Sequence, residues 1–189
     1  MGCWFNLFTL RDKGVTMPVG TFETIETRLL DSSQSAIVFS SIPATYTDLV
    51  IVLVPISNGN NYIAVQFNDD ISGSGTNYSR ICYSTAGSAP SSDQRVNRYA
   101  IELDFFEALG TTGPNTTNEI HIFNYTTTAA FKTLLSRNSA AGRNTGGTAV
   151  GVGVGTWRST AAINSVRLSL NTGTFSSGTR ATVYGIKAA

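Results

Sequence analysis

The sequence predicts an all-β chain: an antiparallel β-sandwich, jelly-roll-like, with an N-terminal arm. Three observations carry this expectation. Short apolar or alternating runs of strand length recur along most of the chain. The links between them are rich in Asn, Gly, Ser and Thr, as in Ser57-Asn58-Gly59-Asn60-Asn61 and Asn171-Thr172-Gly173-Thr174. Charged residues make up only 13%, and Ser, Thr and Asn take their place, a balance that suits β-rich surface and virion proteins better than cytosolic enzymes.

Residues 1–20 read as an arm and 21–189 as the sandwich domain. The arm gathers Trp4, Phe5, Leu7, Phe8 and Leu10 ahead of the charged turn Arg11-Asp12-Lys13-Gly14. Such apolar side chains need a cover, so they are candidate assembly contacts; the alternative is an extended start packed loosely on its own domain. From Thr21 the strand-like runs begin. Ser35 to Phe39 is the first distinct candidate. Asp48 to Ile56 is almost continuously apolar, as in a strand buried on both faces. Tyr62 to Phe67 alternates, with Ile63, Val65 and Phe67 on one side. Tyr78 to Tyr83 and Val96 to Leu103 follow. In Glu119 to Phe123, Ile120 and Ile122 oppose Glu119, His121 and Phe123. Phe131 to Leu135 is another run. Val150, Val152 and Val154 alternate with glycines, Val166, Leu168 and Leu170 with polar residues, and Ala181 to Ile186 closes the chain. This makes nine to eleven strands. Asp104 to Leu109, ended by Gly110, is the single helical hint. No repeat of solenoid or propeller type is present.

The formal net charge is +1 and the thirteen basic residues are scattered. Nucleic-acid binding needs basic residues gathered on one face, so no nucleic-acid partner is expected. No apolar run is long enough to span a bilayer, so no membrane insertion is expected. The start lacks a basic region and a cleavage site, and Asn6 breaks the myristoylation pattern. Cys3 and Cys82 are too few for a disulfide framework; two thiols are the simpler reading, a single bridge the other.

No catalytic, metal or cofactor residues are expected. The single histidine, His121, lies inside a strand and reads as a sheet-face residue rather than an acid–base catalyst. Asn68-Asp69-Asp70-Ile71-Ser72-Gly73 is rich in oxygen ligands, but lacks EF-hand spacing and reads first as a solvated hairpin loop, with calcium as the alternative. Glu102, Asp104 and Glu107 lie close in sequence, yet nothing fixes them as a glycosidase pair. Gly151-Val152-Gly153-Val154-Gly155 is not followed by a helix, so it reads as a strand packed closely on its glycine face, not as a phosphate loop. Tyr78, Tyr83 and Trp157 with Arg158 are candidate glycan contacts, because aromatic rings can stack on sugars; a sandwich core is the other home for Trp157.

Several segments, in order, resemble a family of tailed-bacteriophage virion proteins of structural, tail-fibre or head-appendage type. They are Phe39-Ser40-Ser41-Ile42-Pro43-Ala44-Thr45-Tyr46-Thr47-Asp48-Leu49, Val65-Gln66-Phe67-Asn68-Asp69-Asp70, Thr76-Asn77-Tyr78-Ser79, Thr156-Trp157-Arg158 through Val166, and Ala181-Thr182-Val183-Tyr184-Gly185-Ile186. The set spans most of residues 21–186, and its order carries more than any one piece. The resemblance implies a jelly-roll-like sandwich located in the virion, and it brings no catalytic residues. The aromatic arm departs from the family's usual start near Met17. The expected function is a non-enzymatic virion structural protein. It would be a capsid decoration (cement) or small exterior appendage protein, docking on other virion proteins through its arm and sandwich edges. A homo-oligomer such as a trimer is expected, with no cofactor. The alternative is a tail-fibre or receptor-binding module that recognises host surface glycans.

Overall fold

The computed structural model describes residues 21–57, 62–71, 77–86, 89–103, 116–140 and 149–187 of the 189-residue chain. Among these, twelve strands form and no helix occurs. They are β1 (Phe22–Leu29), β2 (Ala36–Phe39), β3 (Asp48–Val54), β4 (Ile63–Phe67), β5 (Tyr78–Ala86), β6 (Ala89–Arg98), β7 (Ile101–Glu102), β8 (Thr116–Phe123), β9 (Lys132–Ala140), β10 (Ala149–Trp157), β11 (Val166–Leu170) and β12 (Arg180–Ile186). The arm residues Trp4, Phe5, Leu7, Phe8 and Leu10, and the helical hint at 104–109, lie outside the described residues.

Every pairing is antiparallel. An eight-stranded sheet runs β1-β12-β3-β8-β9-β10-β5-β6, and a four-stranded sheet runs β2-β11-β4-β7. The two form a β-sandwich, as the alternation predicts. Its core interdigitates Ile37 and Phe39 of β2, Val65 and Phe67 of β4 and Leu168 of β11 with Leu49, Ile51 and Leu53 of β3, Ile120 and Ile122 of β8 and Val183 of β12. Each such side chain stabilises by about 1.5–3 kcal/mol when fully buried.

Two strands that alternation alone does not reveal are β1 and β6. Both are edge strands of the large sheet, and β6 carries Pro90 at its start, where a missing N–H is tolerated. The segment 62–67 is more buried than its alternation suggests. Ala64 and Gln66 are buried as well as Ile63, Val65 and Phe67, and the Gln66 amide donates to the Tyr99 carbonyl at 3.1 Å.

The short sheet covers only part of the long one. Beneath it, the inner faces of β8, β9, β10 and β5 are mostly apolar, with Ile120 and Ile122, Leu134, Trp157 and Tyr78, and the buried Lys132 opposite Trp157. Towards the other end of these strands the inward residues become Thr116 and Asn118, Ser136 and Asn138, three glycines, and Cys82 and Ser84. That change along the strands positions the surface described next.

Candidate assembly interface

Strands β9, β10, β5 and β6 are adjacent, and in their outer half their polarity is inverted. A strand buried on one face normally turns apolar residues inward and polar residues out. Here Val150, Val152 and Val154 of β10, Ile81 and Tyr83 of β5 and Val96 of β6 point outward, each 41 to 56% exposed. Inward lie Gly151, Gly153 and Gly155, Cys82 and Ser84, and the partly buried Asp93.

The glycines explain the inversion. A Cβ built on Gly153 would stand 2.9 Å from the Ser136 hydroxyl and 3.1 Å from Cys82 Sγ, and one on Gly155 would stand 2.5 Å from Ile101 Cγ2. At these glycines the inner side of β10 is therefore closely packed against its neighbours, as expected of its glycine face. With a two-residue period, the valines must face solvent. Register joins them into one surface. Val152 lies opposite Tyr83 and Arg137, Val154 opposite Ile81 and Leu135, and Tyr83 opposite Ser92. Val96 joins the same side by alternation with Ser92 and Gln94, ahead of a bulge at which Asn97 takes φ 56°. Among the outward positions of these four strands, Arg137 alone is charged, and it is paired with Glu119 of β8. A depression of about 230 Å³ lies between Tyr83, Val152 and Val154.

An ion-pair network braces this surface from below. The buried Glu102 carboxylate of β7 accepts from Arg95 Nη1 at 2.8 Å, Arg98 Nη2 at 2.8 Å and Arg80 Nη2 at 3.4 Å. Asp93 accepts from Arg80 Nη2 at 2.8 Å and Arg95 Nε at 3.0 Å. Arg80 Nη1 also donates to the buried Cys82 Sγ. The carboxylate beside Arg95 and Arg98 raises the affinity of both guanidinium groups for their protons. The network ties β5 and β6 to β7 beneath the outer face. It answers the sequence's question about Glu102: the carboxylate is spent on cations. Asp104 and Glu107 lie outside the described residues.

Two of the four candidate glycan contacts are corrected by their burial. Tyr78 is 0% and Trp157 3% exposed. Their rings stack with centroids 6.3 Å apart, and Phe67 packs on both, so neither offers a face to a sugar. The reason is their place at the core end of β5 and β10. Tyr83 is exposed, but as part of the apolar surface. Arg158 is exposed and donates to the Asn97 side chain at 2.6 Å.

The acidic loop, described through Ile71, is not a hairpin, because β4 before it and β5 after it lie in different sheets. Phe67 O accepts from Asp70 N at 2.9 Å, with Asn68 and Asp69 both at φ 53°, which makes a type I′ turn. The Asp70 carboxylate accepts from Trp157 Nε1 at 2.7 Å and from Asn77 Nδ2 at 2.9 Å. His121 lies on the outer side of β8 between Ile120 and Ile122, as expected, with Nε2 3.0 Å from Asp48 Oδ2 and its ring stacked on Phe123 at 4.1 Å. Cys82 is buried, and Cys3 lies outside the described residues.

No family model, curated protein or solved structure matches this chain.

Proposed function

We propose that this chain is a non-enzymatic structural subunit of a bacteriophage particle, a capsid decoration or small exterior appendage protein, that works by being assembled. The observation that carries the reading is the outward surface of Val150, Val152, Val154, Ile81, Tyr83 and Val96, almost without charge. A contiguous apolar surface of this kind calls for a protein partner. The ordered resemblance to virion proteins supplies the setting, and the jelly-roll form of the sandwich belongs to that same resemblance. Glycan recognition loses its main support with the burial of Tyr78 and Trp157. The test is quantitative mass spectrometry of purified particles. The reading expects the chain at a fixed copy number per particle; its absence from particles that infect normally would contradict it.

A further inference from the structure

The outer surface of β10, β5 and β6 raises the question of what covers it. We propose that it is a second copy of the same chain, packed face to face through these strands about a two-fold axis. This rests on the assembly reading above and names its partner.

Three features of the surface favour an identical partner. It is almost uncharged. Among the outward positions of β9, β10, β5 and β6 only Arg137 carries charge, and Glu119 already neutralises it. A partner bearing a charged patch would gain nothing here and would bury its own charges at a cost, whereas a second copy brings only the Arg137–Glu119 pair, already matched within its own chain. The shape also suits a sheet. Rows of Val, Ile and Tyr stand on neighbouring strands in register, the arrangement that interdigitates when two sheets pack about 10 Å apart. The area is of the right size. Six large side chains, each about half exposed, offer roughly 500 Å² of apolar surface, near the upper end for a monomer. With the polar rim of Ser92, Gln94 and Thr85 the surface approaches the ~800 Å² per partner of a standard interface. An isologous pairing uses the same patch twice and needs no other surface. Among the described residues the other exposed large apolar side chains are Phe22 and Leu29 in β1, and Ile71, Tyr99 and Phe131 outside the strands.

The experiment is sedimentation of the full chain across the micromolar range, with three variants checked by circular dichroism. Wild-type chain should sediment as a dimer. Val152→Lys and Ile81→Lys place a charge in the middle of the interface and should weaken self-association by about tenfold or more, with the β-type spectrum unchanged. Leu29→Lys, on the far edge strand, should remain dimeric. A photoreactive phenylalanine analogue in place of Val152 should cross-link to β5 or β10 of the second copy. A monomeric wild type, a fully dimeric Val152→Lys, or cross-links to residues 4–10 instead would each overturn the proposal. Loss of Val152→Lys from particles would leave the assembly reading standing even if the wild type were monomeric. Normal incorporation of Val152→Lys would overturn that reading whatever the oligomeric state.

Discussion

The indole Nε1 of Trp157 donates a 2.7 Å hydrogen bond to Oδ2 of Asp70. These residues lie 87 positions apart, one at the end of β10 and the other in the turn after β4. The Tyr78 hydroxyl bonds the backbone of the same turn, accepting from Phe67 N at 3.0 Å. Asn68 completes the link: its Oδ1 accepts from Asn164 N at 2.9 Å and its Nδ2 donates to Ala162 O at 2.7 Å. The segment after β10 is thereby tied to the turn. Asp70→Ala removes the acceptor of a buried indole and should cost about 1–3 kcal/mol. Trp157→Ala should cost about 3–5 kcal/mol. Urea unfolding measures both. A Trp157→Ala protein of unchanged stability that lost binding to host cells would return Trp157 to the glycan reading.

Gly185 meets the ring of Tyr46, which occupies the space a Cβ would take. The Tyr46 hydroxyl donates to Glu23 Oε2 at 3.0 Å, so the ring is held at both ends. Gly185→Ala should overpack this contact and cost about 1–3 kcal/mol. Combining it with Tyr46→Ala should cost less than the sum of the two single changes, because the clash is then gone. Simple additivity in a double-mutant cycle would contradict the packing account.

Glu102 faces three guanidinium groups while only 1% of its side chain is exposed. Glu102→Gln withdraws the charge they share and should cost about 3–5 kcal/mol, since breaking a buried ion network strands its partners. Salt should change the wild-type stability little, because these charges are screened less than surface pairs. Chemical denaturation at two ionic strengths tests both statements. A neutral effect of Glu102→Gln would show that β5 and β6 are held to β7 by other contacts.

Burial pushes the Tyr78 phenol well above its ordinary value. The folded chain keeps that proton where the unfolded chain releases it, above about pH 10. Its contribution is therefore fully present below pH 10 and is lost as pH rises further, by up to ~1.4 kcal/mol per pH unit. Tyr78→Phe should flatten the alkaline arm of the stability curve while losing the hydroxyl's bond to Phe67 N. An alkaline slope identical in the two proteins would count against this.

The sandwich is legible in the sequence because its central strands alternate or run apolar, as at Glu119–Phe123 and Asp48–Val54. Strand β6 is not, since Ser91, Ser92 and Asp93 have little strand preference and Asp93 is held by arginines, Arg80 from the neighbouring β5 and Arg95 from β6 itself. The glycine face of β10 is legible from Gly151 to Gly155. Its consequence, that the intervening valines point outward, follows from the same period but shows as a surface only when β5 and β6 take their places beside it. The burial of Tyr78 and Trp157 could not be read from their neighbours, because it depends on Asp70 and Phe67 arriving from another strand. Residues 39–49, 65–70, 77–79, 156–166 and 181–186, far apart in the sequence, meet in space. Ile42 N donates to Asn164 O, Tyr46 packs on Gly185, and Asp70 accepts from Trp157 and Asn77. What joins these segments is thus packing and hydrogen bonding, which is why they bear on the fold.

The central claim is that the chain acts by docking its outer apolar surface in an assembled particle. The most direct measurement is the copy number of Val152→Lys in particles produced when it replaces the wild-type chain, counted by quantitative mass spectrometry. The account predicts a soluble, folded variant that is depleted from particles by about tenfold or more. Particles carrying the variant at the wild-type copy number would contradict it.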